Sequence, residues 1–227
     1  MKLVVVTAGL SVPSSARLLA DRLASATAGR APAEVDVRVV ELRELAVGIA
    51  RTLASGFPGP DLASVLDAVT EADGLIVVTP VFSASYSGLF KSFFDVLAAR
   101  DQEALAGKPV LIAATGGTAR HSLVLDHALR PLFAYLKAVV VPTGVYAASE
   151  DWGAEGLPER VERAAGELAA LMTGMSTGRE TPRTEPGKPE RAGESERAGE
   201  SEGTGKPEKN GGFTVVPFEE QLAALRR

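Results

Sequence analysis

The stretch from Leu75 to Lys91 reads LIVVTPVFSASYSGLFK and decides the fold. Its first four residues, Leu75–Val78, are apolar and mostly β-branched, as expected of a strand that is buried on both faces. Apolar residues recur at helical spacing from Leu89 onward, so a helix is predicted to begin near Ser87. Between strand and helix, Pro80 is expected to end the strand, because proline has no amide hydrogen for the ladder.

The same alternation of strand and helix recurs along most of the chain. Short apolar runs predict strands at residues 3–6, 35–40 and 109–115, and a fifth strand from two pieces at 138–141 and 145–146. Apolar residues at helical spacing predict helices at residues 14–26, 62–69, 87–97, 125–136 and 157–172. The glycines and prolines before residue 61 indicate a long connection after the second strand. These elements predict an α/β fold, a flavodoxin-like doubly wound five-stranded parallel sheet of order 2-1-3-4-5 with helices on both faces.

The composition narrows the classes of function. The chain has 227 residues, a formal net charge of −5 and no cysteine. Disulfides, thiolate metal sites and cysteine nucleophiles are therefore excluded, and no basic stripe with aromatic residues indicates a nucleic-acid surface. The two histidines, His121 and His127, lack further ligands at suitable spacing, so no metal site is predicted. With no signal-peptide pattern and no long apolar segment, we expect a soluble cytoplasmic protein.

The composition also divides the chain into three parts. Residues 1–175 are predicted to form the flavodoxin-like domain. Residues 176–212 contain charged residues, glycine, proline and serine, and include the hexapeptide ERAGES twice in succession from residue 190. Such a segment buries too little surface to offset its chain entropy, so a disordered linker is predicted. Residues 213–227 contain large apolar residues again, and we expect them to be a docking segment at the end of that tether, on the same subunit, on a dimer partner or on another protein.

The loop after the first strand contains several serines and one arginine. Ser11, Ser14 and Ser15 precede or begin a helix whose first turn includes Arg17. Amides at a helix N-terminus, hydroxyls and a guanidinium together favour a phosphate. An ordinary N-capped helix with a solvated arginine fits the pattern alone equally well. The loop lacks the glycine spacing of a dinucleotide site or a P-loop, so a mononucleotide phosphate suits it better.

Two more loops leave parallel strands at the same edge of the predicted sheet. The second loop, residues 80–86, combines serine hydroxyls with the flat side chains of Phe82 and Tyr86, which suits a planar ring. The third begins at Thr115, where Gly116 and Gly117 allow the backbone to approach a flat ligand closely. His121 follows this loop, and contact with a ligand and exposure to solvent are equally compatible with its position.

Three motifs in these loops resemble the NADPH-dependent FMN reductases. They are AGLS…PSSARLL from Ala8, TPVF…SYSGLFK…FD from Thr79, and TGG…H…HALRPLF from Thr115. The resemblance extends over residues 1–172, and the nearest branch is the reductases that supply reduced FMN to luciferase-like or alkanesulfonate-type monooxygenases. It implies an FMN phosphate at the first loop, the ribityl chain and isoalloxazine ring beside the second, and ring contacts with the third. The flavin-binding residues implied in this way are Ser11, Ser14, Ser15, Arg17, Pro80, Val81, Phe82, Ser83, Ser85, Tyr86, Thr115, Gly116 and Gly117, to which the loop pattern adds His121.

The resemblance implies an oxidoreductase that transfers hydride from NADPH or NADH to FMN, with FMN leaving as a product. Hydride transfer needs no acid or base from the protein, so no catalytic side chain is predicted. Two alternatives remain open. One is a quinone or azo reductase that keeps FMN bound, and the other is a non-enzymatic flavodoxin-like electron carrier, whose surface is usually more acidic.

We also expect a homodimer or a tetramer. The predicted helix from Leu89 carries more large apolar residues than one core-facing stripe needs. Phe90, Phe93 and Phe94 are therefore predicted to lie near a subunit contact.

Overall fold

The computed structural model of the chain describes the backbone of residues 1–180 and the side chains of residues 1–175. The strands are β1 Lys2–Thr7, β2 Asp36–Glu41, β3 Gly74–Phe82, β4 Ser85–Tyr86, β5 Pro109–Gly116, β6 Val139–Val140 and β7 Val145–Ala148. The helices are α1 Ser15–Arg30, α2 Leu42–Ser55, α3 Pro60–Glu71, α4 Gly88–Arg100, α5 Arg130–Tyr135 and α6 Gly156–Glu180. Short 3₁₀ turns cover Ala119–His121 and Ser149–Gly153, and one π-helical turn covers Leu125–Leu129.

The sheet has the predicted topology. Its strands follow the order β2-β1-β3-β5, and both β6 and β7 then pair with β5, all in parallel. The two short strands β6 and β7 together occupy the fifth position of the order 2-1-3-4-5. One strand runs antiparallel, because β4 folds back on the end of β3 as a hairpin. The predicted flavodoxin-like doubly wound sheet is therefore confirmed.

Helices cover both faces of the sheet, and alternate strand residues separate the two cores. On one face, Leu3 and Val5 of β1 pack with α1 and α6. On the other face, Val4 and Val6 pack with α2, α3, α4 and α5. This arrangement follows from the two-residue period of a strand, which sends neighbouring side chains to opposite faces.

The prediction that Pro80 ends the third strand is wrong. β3 continues to Phe82, and Pro80 lies opposite Thr115 of β5. The reason is the direction in which Pro80 points. The carbonyl of Val78 accepts a hydrogen bond from the amide of Ala8 at 2.9 Å, so the backbone amide and carbonyl of Val78 point toward β1. Residues two apart on a strand direct their backbone groups to the same side. Among the described residues, β1 ends at Thr7 and β4 pairs only with Val81 and Phe82, so the missing amide hydrogen of Pro80 costs no ladder bond.

The structure also contains a helix that the sequence pattern did not predict. α2 occupies residues 42–55, within the stretch that was interpreted as a long connection. Leu42, Leu45 and Ile49 are spaced as the buried stripe of a helix, but exposed apolar residues at Val47 and Leu53 obscure that spacing. The helix ends at Gly56, whose φ of 80° is the left-handed cap conformation that favours glycine.

The three phenylalanines of α4 that are predicted to lie near a subunit contact belong to the core of the single chain. Phe90, Phe93 and Phe94 are all at most 1% exposed within the single chain. Phe90 and Phe94 lie with ring centroids 4.8 Å apart, and Phe133 of α5 meets Phe94 edge-on at 4.9 Å. These rings fill the core between α4 and α5, so their abundance reflects a helix covered by the sheet and by another helix and gives no evidence of a subunit contact.

The predicted helix at residues 125–136 is interrupted in a way that accommodates Pro131. Residues 125–129 form a π-helical turn, in which the amide of Arg130 donates to the carbonyl of Leu125, and α5 then starts with Pro131 in its first turn. Proline has no amide hydrogen to donate, and the first helical turn is where that loss is tolerated.

The last helix, α6, extends to Glu180, which is longer than the predicted residues 157–172. The rest of the predicted linker, and the predicted docking segment at residues 213–227, lie outside the described residues. No helix among the described residues combines the length and the apolar character needed to cross a membrane.

Candidate functional site

The three predicted loops meet at the carboxyl edge of the sheet. They follow β1, β3 and β5, which are neighbours in the parallel sheet. The amide of Ala8 donates to Val78 on β3, and the hydroxyl of Ser15 lies 3.4 Å from that of Thr115 at the end of β5. The structure therefore brings the three loops to one place, with the second loop between the first and the third. This is the arrangement expected at a topological switch point.

The first loop leads directly into the N-terminus of α1. Ser14 is the N-cap residue, and its hydroxyl accepts a hydrogen bond from the amide of Arg17 at 3.2 Å. Gly9 makes this turn possible, since a Cβ atom there would lie 1.9 Å from the Ser14 hydroxyl oxygen. Ser11 and Ser15 are exposed. Amides of the first helical turn have no partner inside the helix, so this loop can bind an anion.

Arg17 projects from this turn into contact with two carboxylates. Its Nε donates to Asp21 Oδ1 at 2.8 Å, and its Nη1 donates to Glu41 Oε1 at 2.5 Å. The hydrogen bond to Asp21 contributes most to a pKa of Arg17 that is raised above its ordinary value. Arg17 therefore stays charged, but its charge is already shared with two acids before any ligand binds.

The second loop is a tight hairpin formed by β3 and β4. Val81 pairs with Tyr86 and Phe82 with Ser85, so Ser83 and Ala84 form a two-residue turn with φ angles of 49° and 64°. Two positive φ angles are typical of a type I′ turn, which usually contains asparagine or glycine. The backbone of a residue other than glycine is strained at such φ angles, and strained turns are frequent at functional sites.

The hairpin is tied to the helix that follows it. The amide of Ser87 donates to the hydroxyl of Thr79 at 3.1 Å, and that hydroxyl donates to the carbonyl of Pro80 at 3.0 Å. Ser87 in turn is the N-cap of α4, where its hydroxyl accepts from the amide of Phe90. Thr79 and Ser87 are both buried, so the hydrogen bonds that hold the base of the hairpin are shielded from water.

The aromatic side chains of the hairpin differ in exposure. Tyr86 is half-buried, and its ring centroid lies 5.9 Å from that of Phe90. It therefore lies at the edge of the aromatic cluster formed by Phe90, Phe93, Phe94 and Phe133. Phe82 is 47% exposed. A supported ring and an exposed ring on the same hairpin provide apolar surface for a planar ligand.

The third loop is shaped by contact with Tyr146 of β7. The hydroxyl of Tyr146 donates to the carbonyl of Thr118 at 2.8 Å, and a Cβ atom on Gly116 would lie 2.1 Å from that hydroxyl oxygen. Burial of Tyr146, followed by the charges of Glu150 and Asp151, raises the pKa of its phenol. Gly116 is therefore required for a reason of packing. Gly117 has open space where a side chain would be, so its backbone can be approached.

His121 is the predicted residue that the structure connects least to the others. It lies exposed at the end of a 3₁₀ turn, and within the described part of the chain no hydrogen bond joins its side chain to the three loops. His127 instead lines a groove of about 520 Å³ that extends from Ser85 and Tyr86 between α4 and α5. A larger open groove of about 900 Å³ lies between α1 and α6, but it contains none of the predicted residues and no strand end.

Two residues that contact the predicted site were not singled out from the sequence. Glu41, the last residue of β2, reaches Arg17, and Tyr146 of β7 supports the third loop. The predicted order 2-1-3 contains a signal for the first, since it places the end of β2 beside the loop that follows β1. No local pattern marks Tyr146, because it meets Gly116 only after β7 has paired with β5.

The chain is similar to known proteins over the residues that form the three loops. The family model described as NADPH-dependent FMN reductase matches residues 1–153, which include all three loops. The chain is 42% identical over 180 residues to an FMN reductase (NADPH) of Pseudomonas aeruginosa, covering 77% of this chain and 94% of that protein. It is 38% identical over 177 residues to the NADH-dependent FMN reductase SfnF of Pseudomonas fluorescens, covering 76% and 92%. The structure of an oxidoreductase from Corynebacterium diphtheriae superimposes with a TM-score of 0.73 at 47% identity, covering 76% and 97%.

Proposed function

The chain belongs to the NADPH-dependent FMN reductase family, and we propose that it transfers hydride from NADPH or NADH to FMN at the carboxyl edge of its sheet. The observation that carries this proposal is the meeting of three loops there, joined by the contact of Ser15 with Thr115. All three lie within the residues that the family model matches. The protein is accordingly an oxidoreductase.

The residues at this edge fit the parts of FMN. The amides and hydroxyls at Ser11, Ser14 and Ser15 suit its phosphate, because anions bind at helix N-termini. The hairpin from Pro80 to Tyr86 supplies apolar surface and hydroxyls for the ring and ribityl chain. The backbone at Thr115–Gly117 is open enough at Gly117 for close approach to the ring.

The protein contributes position and charge stabilisation to the reaction. FMN bound at this edge would accept a hydride from the nicotinamide, and that chemistry would require no proton donor or acceptor from the protein at the reacting carbon. Thr79 and Ser87 hold the hairpin in place, and Tyr146 holds the third loop. The amides of the third loop are the groups that would stabilise negative charge developing on the flavin ring.

A steady-state assay tests this function directly. NADPH oxidation is followed with excess free FMN, with a quinone, and with neither. Rapid oxidation that requires FMN is the expected result. Oxidation that requires only the quinone would instead favour a quinone reductase with FMN held bound. No oxidation in any condition, with flavin still bound, would favour an electron carrier.

The placement of the phosphate is tested separately by Arg17→Ala. Losing a charge-assisted hydrogen bond is expected to weaken FMN binding by about 1.5 kcal/mol, the lower end for such bonds, because Asp21 and Glu41 already share the guanidinium. A fluorescence titration of FMN measures it. An unchanged affinity in a folded variant would remove Arg17 from the site.

The proposal extends to the partners of the enzyme. Reduced FMN leaves the site and is used by a flavin-dependent monooxygenase, and the enzyme works in the cytoplasm as a homodimer or tetramer. Light scattering that shows a concentration-independent monomer would contradict the assembly. Coupled turnover that does not increase when this enzyme supplies reduced FMN to a monooxygenase would contradict the partner.

The segment at residues 213–227 is included in this proposal as a docking segment for that monooxygenase. Its apolar residues follow more than thirty residues without a large apolar side chain, which solubility alone does not favour. A chain truncated after residue 180 is expected to reduce FMN as the full chain does but to lose coupling to the monooxygenase. Equal coupling by the truncated and full chains would rule the docking role out.

A further inference from the structure

We propose that Glu41 sets the affinity of the first loop for the phosphate of FMN by competing for Arg17, so that the flavin is released and exchanged. This inference rests on the proposed function, because it takes the phosphate to bind at the N-terminus of α1. It identifies a residue that determines specificity for FMN over riboflavin, which has the same ring but no phosphate.

Arg17 is paired with acidic side chains on two different elements. In the described structure the guanidinium donates to Asp21 from Nε and to Glu41 from Nη1. A guanidinium has five N–H donors, so some remain for an incoming phosphate. Little of its charge remains, since Arg17 and Arg43 together with Asp21 and Glu41 carry no net charge. An arginine without these neighbours would offer a phosphate a full positive charge.

The two carboxylates are not equivalent. Asp21 lies one turn farther along α1, and its side chain is 48% exposed, so water and salt screen it. The side chain of Glu41 is only 24% exposed. In the register of β1 and β2 it lies opposite Thr7, the residue directly before the first loop. Glu41 therefore acts at shorter range and with less screening on a phosphate bound by that loop.

Glu41 is also held in place. It is the last residue of β2 and the N-cap of α2, so its backbone is fixed by both elements. Its second carboxylate oxygen lies 3.5 Å from Nη2 of Arg43, which steadies the side chain through a second ion pair. A carboxylate fixed in this way remains beside the loop when a ligand binds, and its repulsion of the phosphate persists.

The consequence concerns exchange of the flavin. The loop retains amides and hydroxyls that recognise a phosphate, but the charge that would retain it is offset by Glu41. FMN then binds selectively and dissociates readily, as a substrate must. Removing the charge of Glu41 is expected to make the site bind FMN more tightly and release it more slowly.

The test replaces Glu41 by glutamine, which keeps the size of the side chain and one acceptor oxygen but removes the charge. Fluorescence titrations measure the Kd of FMN and of riboflavin for the full chain. The Kd of FMN is expected to fall about three- to tenfold, the range for removing one partly screened charge, whereas the Kd of riboflavin changes less than about twofold. Release of FMN, measured by stopped flow, slows by a similar factor.

A matched control separates this local effect from net charge. Glu44→Gln removes the same charge three residues farther on, where the side chain is exposed and, within the described residues, not paired with Arg17. It is expected to leave both Kd values unchanged. If Glu41→Gln does not fold, Glu41→Ala carries the test, with an expected fall in the Kd of FMN of about threefold or more and no change for riboflavin.

The outcomes distinguish this inference from the proposed function. If the parent protein binds and reduces FMN but Glu41→Gln leaves the ratio of the two Kd values unchanged, the role of Glu41 is refuted and the function stands. Equal tightening of FMN and riboflavin refutes it too, since the effect would not involve the phosphate. If the parent protein neither binds nor reduces FMN, the proposed function itself fails.

Discussion

Replacing Gly116 by alanine tests whether the third loop depends on its contact with Tyr146. The new Cβ atom would lie 2.1 Å from the phenol oxygen of Tyr146, far inside van der Waals contact. The ring cannot swing aside easily, because Tyr146 is 6% exposed and lies on β7, which is paired with β5. Either the loop or the ring has to move, and the hydrogen bond from Tyr146 to Thr118 is lost.

The size of the effect follows from these two changes. Overpacking of a well-packed site costs about 1–3 kcal/mol, and the lost hydrogen bond adds about 1 kcal/mol. The free energy of unfolding is therefore expected to fall by about 2–4 kcal/mol. The Michaelis constant for FMN is expected to rise as well, because the displaced loop is the one proposed to contact the flavin ring.

Urea unfolding followed by circular dichroism measures the stability, with Gly117→Ala as the matched control. A Cβ atom on Gly117 meets nothing within 4 Å, so that substitution is expected to change the unfolding free energy by less than about 0.5 kcal/mol. Combining Gly116→Ala with Tyr146→Phe removes the clashing oxygen and leaves the nearest ring carbon at 3.2 Å. In the Tyr146→Phe background the alanine is therefore expected to cost about 1–2 kcal/mol less.

A Gly116→Ala variant that loses no more unfolding free energy than Gly117→Ala would refute the dependence of the third loop on this contact. It is also refuted if the cost of the alanine is the same with tyrosine and with phenylalanine at position 146. Either result would mean that the close approach of Gly116 to Tyr146 does not determine the shape of the loop.

Three further predictions address the hairpin and the phenol. Tyr86→Ala is expected to weaken FMN binding by about 1 kcal/mol, because a supported ring is lost from the proposed flavin site; parent-like affinity and fluorescence quenching in a titration would place the flavin ring elsewhere. Ala84→Gly is expected to stabilise the protein by about 0.5–1 kcal/mol, because alanine is strained at a φ of 64°, and an unchanged urea midpoint would show that the turn carries no strain. The pKa of Tyr146 is raised in the folded state, so its contribution to stability is present below the unfolded pKa near 10 and is lost as the pH rises through the folded value. The stability advantage of the parent over Tyr146→Phe should then shrink above about pH 10, and a constant advantage would contradict it.

The sequence determined the fold because each of its signals is local and periodic. The apolar run before Thr79 predicts a strand wherever it packs, and the alternation of strands with helices restricts the sheet to parallel order with right-handed crossovers. Ser14 and Ser87 are N-caps as their positions before helical stripes indicate. From strand order alone, the three loops had to emerge at one edge.

Local pattern was less informative where competing signals overlapped. The buried stripe of α2 at Leu42, Leu45 and Ile49 was present in the sequence, but exposed Val47 and Leu53 concealed its period. The missing amide hydrogen of Pro80 does not by itself predict the end of a strand, because the effect of that loss depends on whether a neighbouring strand pairs with it.

Only the tertiary structure decided which surfaces are covered and which charges meet. Phe90, Phe93 and Phe94 have the same sequence pattern whether they face a subunit or the core. Phe133, about forty residues away, packs on Phe90 and Phe94 and shows that this pair faces the core. Arg17 meets Glu41, and Gly116 meets Tyr146, across distances in sequence that no period spans. The physical reason is that hydrophobic periodicity records how an element is oriented toward some core, whereas the partner of a charge or the neighbour of a missing side chain exists only once separate elements have packed together.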